Sequence, residues 1–350
     1  METKLRTATG EFQIDIATMS DLPAILECTS FDNRAPYNEA SFWKWRYFEN
    51  PVADVKVYVA RTVDRKIAAM QSVSAYTIHV DGQKHIAHCL TGAVTAPHFR
   101  RRGLFRLLVQ TIVQDLSGQG ASILFTFPNK LSVQAFRRFP GWEKHELLSL
   151  YMRPLMSLHR GGPRSYDREV TVLPRNELSD LEIVRQQNVR IGGDELLENS
   201  NPHLSFIDRS KKYLTWRYYG GTANEYEMFY AVCGSLNEGY VVLTPRQFKG
   251  FTVGLVVDLV ARSNVVANEL LRAAVTHSQR KGYRMLAFLV GRTNPYRRAL
   301  NMSRFMKWPN ALLPRRFHVY TYAFDQNGRK AELIVRNINW YLTWGDTDVA

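Results

Sequence analysis

Two stretches of this chain carry nearly the same word, FWKWRY at 42–47 and YLTWRY at 213–218, which sets Trp45 and Trp216 171 positions apart. Other pairs follow in the same order at nearly the same offset: MSDLPAIL at 19–26 with LSDLEIV at 178–184, Asn129 with Asn294, and Trp142 with Trp308. Ordered matches at near-constant spacing point to two copies of one fold. A chain of 350 residues also exceeds what one hydrophobic core usually holds, so length and repeat agree on two domains.

Within the first copy, alternation predicts a strand over 12–16, and Ser20-Asp21 reads as the cap of a helix through Cys28. Strands follow over 56–62, 67–79 and 85–95, separated by the turn words Asp64-Arg65 and Asp81-Gly82, which makes an antiparallel meander. A helix over 104–116 carries Leu104, Leu108 and Ile112 on one face and ends at Gly118 and Gly120. A strand over 122–127, a short helix over 132–138 and a strand over 146–152 complete the order β-α-βββ-α-β-α-β. The second copy repeats it from 170 to 324, after a linker rich in Gly, Pro and Arg at 160–168. The expected domains are therefore 1–158 and 170–335, with a linker at 159–169 and a tail at 336–350. Trp340, Tyr341 and Trp344 anchor that tail to a surface. Because both copies keep the WRY word, its role is structural.

Composition narrows the function classes. Cys28, Cys89 and Cys233 are odd in number and widely spaced, which argues against a disulfide framework or a cysteine zinc site. The N-terminus lacks the apolar core of a signal peptide. The longest apolar run, 251–261, is broken by Asp258 and too short to span a bilayer, so a cytoplasmic chain without a membrane span is expected. The net charge of +14 fits nucleic acid, an anionic surface or an anionic small molecule. The basic residues are scattered and no nucleic-acid motif is present, which argues against a dedicated nucleic-acid role.

The densest basic cluster lies in VTAPHFRRRGLF at 94–105, where a strand ends in a loop of three arginines and a glycine before a helix begins. Such a loop suits a phosphate-rich ligand. The first N–H groups of a helix lack intrahelical partners, the helix dipole is positive there, and a glycine lets the ligand approach the backbone.

With this element order and this loop, the sequence resembles the GCN5-related N-acetyltransferase (GNAT) superfamily, and its duplication resembles tandem members of it. The family's pyrophosphate signature, [QR]xxGx[GA], is matched by Arg100, Arg101, Arg102, Gly103 and Leu104, and departs at Phe105. The segment PNKLSVQAFRRFPGW at 128–142 is similar to the pattern NxxAxxxYxxxGF, with Asn129 and Ser132 in register. Phe136 stands where many members carry a tyrosine that protonates the leaving thiolate.

The resemblance implies an α/β (α+β) fold of two tandem GNAT-like domains, each a mixed, mostly antiparallel sheet flanked by helices. It implies an acyl-CoA-dependent N-acyltransferase that moves the acetyl group of acetyl-CoA to a primary amine of a small molecule, with an amino sugar as one acceptor class and no metal. Val94 and Ala96 would contact the pantetheine arm and the thioester, and Arg101 to Leu104 would give N–H groups to the pyrophosphate. Arg100 and Arg102 would add charge, and Asn129 and Ser132 would contact the cofactor. His88 is the candidate base, being in phase with Leu90, Gly92 and Val94 on one strand face and having a suitable ordinary pKa. The second copy has Arg262, Ser263 and Asn264 in place of the glycine loop and is expected to have lost the cofactor site. Two rivals stand beside this reading: a non-catalytic binding or scaffold protein of the same fold, and a tRNA-dependent aminoacyl transferase of the tandem type.

Overall fold

A computed structural model of the chain describes residues 3–7, 10–31, 38–119, 121–155, 171–172, 180–221, 225–313, 316–324 and 339–347. The expected linker at 159–169 and the boundary between 335 and 336 lie outside the described residues. In chain order the elements are β1 (Thr3–Thr7), β2 (Gly10–Ile16), α1 (Leu22–Thr29), α2 (Ala40–Trp43), β3 (Asp54–Arg61), β4 (Ile67–Val80), β5 (Gln83–Thr95), α3 (Leu104–Gly118), β6 (Ile123–Thr126), α4 (Val133–Phe136) and β7 (Trp142–Pro154). The second half follows with β8 (Thr171–Val172), β9 (Leu181–Gln186), α5 (Asp194–Ser200), β10 (Ser205–Ile207), α6 (Lys211–Tyr219), β11 (Glu227–Cys233), β12 (Leu236–Phe248) and β13 (Phe251–Ala261). It ends with α7 (Asn264–Arg280), β14 (Met285–Val290), α8 (Arg297–Met302), β15 (Met306–Lys307), β16 (Phe317–Ala323) and β17 (Trp340–Tyr341).

The two meanders form as the turn words dictate. In the first half β2, β3, β4 and β5 pair antiparallel in sequence order, and β6 then joins β5 in parallel, which only a crossover helix permits. That helix is α3, whose Leu104, Leu108, Ile112 and Leu116 recur at helical spacing and are buried. In the second half β9, β11, β12 and β13 repeat the meander, and α7 leads to the parallel strand β14. β4 is buried along almost its whole length, as a strand covered on both faces must be.

Beyond the parallel pair, the halves exchange strands. β6 is followed by β16, which belongs to the end of the second half, and only then by residues 142–148 of β7. Residues 149–154 of β7 pair instead with β14, and β15 lies on their other edge. β7 thus serves two sheets, which is why it runs over thirteen residues where the sequence predicts 146–152. β10 also crosses the seam, pairing with the end of β4 through Phe206–His79 and Ile207–Ile78. The N-terminal strand β1 is a further element that the sequence reading lacks.

The seam is cemented by the repeated word. Trp45 and Trp216 stack with centroids 5.3 Å apart, and each indole N–H donates to the other's backbone carbonyl, at 3.0 and 3.2 Å. The two tryptophans thus make the same contact in both directions. Aromatic pairs of this kind contribute about 1 kcal/mol beyond the area they bury. The largest apolar core spans both halves, since Ile78, Cys89, Phe125 and Leu148 pack in one cluster with the second half's strands. Two smaller cores cover the faces of the first sheet, one beneath α3 and one beneath α1 and α2. No helix among the described residues is long and apolar enough to cross a membrane.

Candidate functional site

β5 and β6 hold together only from Ala87–Ile123 to Leu90–Thr126. There the Thr126 hydroxyl donates to the Leu90 carbonyl at 3.1 Å, and Pro128 turns the chain away. β5 continues to Thr95, paired with β4 on one edge only. Beyond Leu90 the other edge has no pairing strand among the described residues, which makes it a template for an extended ligand with amide groups.

At the mouth of this splay β5 bulges. Thr91 faces Ser72 and Val94 faces Met70, so three steps on β5 oppose two on β4. Gly92 lies in the bulge with φ +64°, and a Cβ on it would sit 2.6 Å from the Tyr47 hydroxyl. Only glycine fits. Gln71 spans the irregularity, its amide donating to the carbonyls of Thr91 and Ser72 at 2.7 and 2.9 Å. The hydroxyls of Ser72 and Thr91 are buried beside it without a hydrogen-bond partner among the described residues.

After β5 a short turn at Pro97–Phe99 leads into Arg100–Gly103. Arg101 and Gly103 adopt positive φ, +63° and +78°, an alternation that turns successive N–H groups inward. Gly103 is the residue before α3, and no side chain caps the helix; a Cβ there would meet nothing within 4 Å. The first N–H groups of the helix therefore lack a side-chain cap among the described residues. Arg100 lies 4.9 Å over the Phe31 ring and donates through Nε to the Thr95 carbonyl at 3.3 Å, while Arg102 lies 5.4 Å over Phe99. All three arginines are exposed, and none joins an ion pair among the described residues.

The fold brings Val94, Ala96, Arg100 to Arg102, Gly103 and Leu104 to one end of the first sheet. Leu104 itself is buried beneath α3, so only its N–H can face a ligand. Asn129 and Ser132 lie across the splay, at the end of β6. The Asn129 side-chain oxygen accepts from the N–H groups of Leu131 and Ser132 at 2.8 and 3.0 Å, shaping the turn that opens α4. Phe136 is a core residue, ringed by Phe105, Trp142 and Tyr320. The large residue at 105 and the missing tyrosine at 136 are thus one feature, since the two rings pack edge to face.

His88 has a different neighbourhood. The bulge shifts the strand's phase, so Leu90 faces the α3 core while Val94 faces the opposite core. This corrects the sequence expectation of one shared face. His88 lies on the α3 face about six strand residues, roughly 20 Å, from Val94. Burial and the Lys56 ammonium hold its imidazole below the ordinary histidine range, and its Nδ1 is buried without a hydrogen-bond partner among the described residues. Gln71, Ser72 and Thr91 are absent from the sequence reading, which used Gly92 for strand phase alone and Tyr47 as part of the repeated word. The signal for the bulge was a glycine inside a β-branched strand.

The second half builds the same splay and closes it. β13 leaves β14 after Val256–Phe288, with a bulge beside Asp258. The Tyr296 hydroxyl accepts from the N–H of Ala261 and donates to its carbonyl, both at 2.9 Å, and Tyr341 donates to the Leu259 carbonyl. The tail enters too. Arg209, fully buried, pairs with Asp258 at 2.9 Å and with Asp346 at 2.7 Å, and Trp340, Tyr341 and Trp344 are buried. Only Arg262 and Ser263 separate β13 from α7, and the Ser263 hydroxyl caps the helix by accepting from Val266 N–H.

Residues 14–144 match the family model described as the acetyltransferase (GNAT) domain. Three solved structures share the fold across about nine-tenths of the chain. A GCN5-related N-acetyltransferase from Anabaena variabilis is 15% identical with a TM-score of 0.61, over 90% of this chain and 73% of its own. A probable N-acyltransferase from Enterococcus faecalis is 14% identical at 0.59, over 89% and 73%. A GCN5-related N-acetyltransferase from Kribbella flavida is 14% identical at 0.55, over 89% and 71%. No curated protein matches the chain. The splay, the bulge and the arginine loop therefore lie within a segment that matches the acetyltransferase (GNAT) domain, in a chain with the fold of GCN5-related N-acetyltransferases.

Proposed function

We propose that this chain is an acyl-CoA-dependent N-acyltransferase with one cofactor site, in domain 1–158, and that domain 170–335 has given up its own site. The observation that carries the reading is the open β5 edge leading directly into the bare, positive-φ loop at Arg101–Gly103. An extended arm with amide groups fits the first, and a pyrophosphate fits the second.

When bound, acetyl-CoA supplies a thioester, whose carbonyl carbon is open to attack and whose thiolate is a stable leaving group. Gly92 to Ala96 offer the backbone edge that aligns the arm, with Val94 and Ala96 alongside it. The N–H groups of Arg101 to Leu104 take the pyrophosphate, and Arg100 and Arg102 add charge-assisted contacts. Asn129 and Ser132 bound the far side. The acceptor is a small-molecule primary amine, which attacks in its neutral form; the C–N bond forms as the C–S bond breaks, and the amine proton passes to base or water. An amino sugar is the first acceptor class to test. The same proposal places the chain in the cytoplasm. Phe136, which has no proton to give, favours a second reading in which the site binds acyl-CoA without turning it over.

Calorimetric titration tests the site. The wild-type chain should bind acetyl-CoA, and Gly103→Asp, which puts a carboxylate and a strained φ into the cradle, should weaken binding on the order of 100-fold. Equal affinity in the two proteins overturns the proposal. Thiol release across an amine panel then separates the readings: binding without release in any reaction selects the second.

A further inference from the structure

At the seam between the halves, well away from the splay, four titratable side chains converge. His79 sits at the end of β4, where pairing with Phe206 of β10 fixes its backbone. Its ring stacks on Phe206 with centroids 4.5 Å apart, and its side chain is 1% exposed. Nδ1 lies 2.6 Å from the Glu198 carboxylate, which sets the ring's orientation. Nε2 then faces Asp194, the first residue of α5, and Asp208, just after β10, at 3.8 Å from an oxygen of each. That separation is too long for a hydrogen bond, and Nε2 has no other partner among the described residues.

We propose that His79 Nε2, Asp194 Oδ1 and Asp208 Oδ1 bind a divalent first-row metal ion, with zinc as the reference case. The three ligand atoms lie within 4.8 Å of one another. An ion held by bonds of about 2.0–2.2 Å separates its ligands by up to about 4 Å, so small rotations of the two carboxylates close the site. Glu198 plays the part that an outer carboxylate takes toward a metal-bound imidazole, accepting the proton of the other ring nitrogen.

The donor set points the same way. Three carboxyl groups face one imidazole, an oxygen-rich donor set of the kind that suits a divalent cation. The Arg209 guanidinium is turned away to Asp258 and Asp346. The Arg209 backbone N–H donates to Asp194 Oδ1 at 2.5 Å, which leaves that oxygen a further lone pair, and Asp208 uses its other oxygen to accept from Ser210 at 2.6 Å. The Asp194 and Asp208 side chains are about one-fifth exposed, which leaves room for water on the open side of the ion. The ion would tie β4 of the first half to α5 and β10 of the second.

The test uses the full chain, stripped with a chelator and dialysed against zinc chloride, with bound metal measured by mass spectrometry. One equivalent of zinc should remain with the wild type and be lost in Asp208→Asn and His79→Gln. His203→Gln, which alters an exposed histidine beside Asp81, should keep it. Zinc should raise the melting temperature of the wild type and leave that of Asp208→Asn unchanged. If His79→Gln fails to fold, the partly exposed Asp208 variant carries the comparison alone. Wild type that retains no more zinc than Asp208→Asn overturns the proposal, and reduces the cluster to an ion pair of a protonated histidine.

Discussion

The two splays start from one plan and end in opposite states. In each, a bulged strand parts from its parallel neighbour and exposes one edge of backbone. In the first half residues 96–103 intervene before the helix, and the edge from Gly92 to Thr95 has no pairing strand beyond β6 among the described residues. In the second, two residues intervene, Tyr296 and Tyr341 take up the edge, and a buried Arg209–Asp258–Asp346 group fills the mouth. The sheet alone does not make a site. What differs is a loop long enough to leave the first helix N-terminus without a side-chain cap, where Ser263 caps the second.

Three further substitutions probe this contrast, in order of expected effect. Arg209→Met strips the counter-charge from two buried carboxylates, and should cost about 3–5 kcal/mol in denaturant unfolding. A loss below 1 kcal/mol would mean that the plug does not hold the second splay shut. Gly92→Ala forces a Cβ toward the Tyr47 hydroxyl at positive φ, so it should cost about 1–3 kcal/mol and lower acetyl-CoA affinity as well. Unchanged affinity would show that the bulge is not part of the first site. Asn264→Ala is the smallest. It removes bonds to Pro295 and Ala299 inside the second half and should leave acetyl-CoA affinity where it was. A drop matching that of Gly103→Asp would mean the second half binds cofactor after all.

Much of the fold was legible because its signals are local. Turn words separate the meander strands, and Leu104, Leu108 and Ile112 mark α3 without any knowledge of what lies beneath them. Gly103 was legible for the same reason, as a glycine between a basic loop and a helix. The strand exchange was not, since nothing in 142–154 or 317–323 states which sheet each segment will join; both are apolar enough for either. The bulge at Gly92 misled the phase count, because alternation read across an inserted residue assigns His88 and Val94 to one face. The group at His79 was invisible for another reason. Its members lie 115 or more positions apart wherever they meet across the seam (194 minus 79 for Asp194 and His79), and the pairing of β10 with β4 brings them together.

The exchanged strands also bear on how the chain is made. The sheet that carries the arginine loop takes β16 between β6 and β7, so a ribosome that has finished the first half has not yet supplied all of its strands. Domains usually fold as they emerge, the earlier one first. Here the loop's own sheet can be completed only after residue 323 has been synthesised, so the first half is expected to finish folding together with the second.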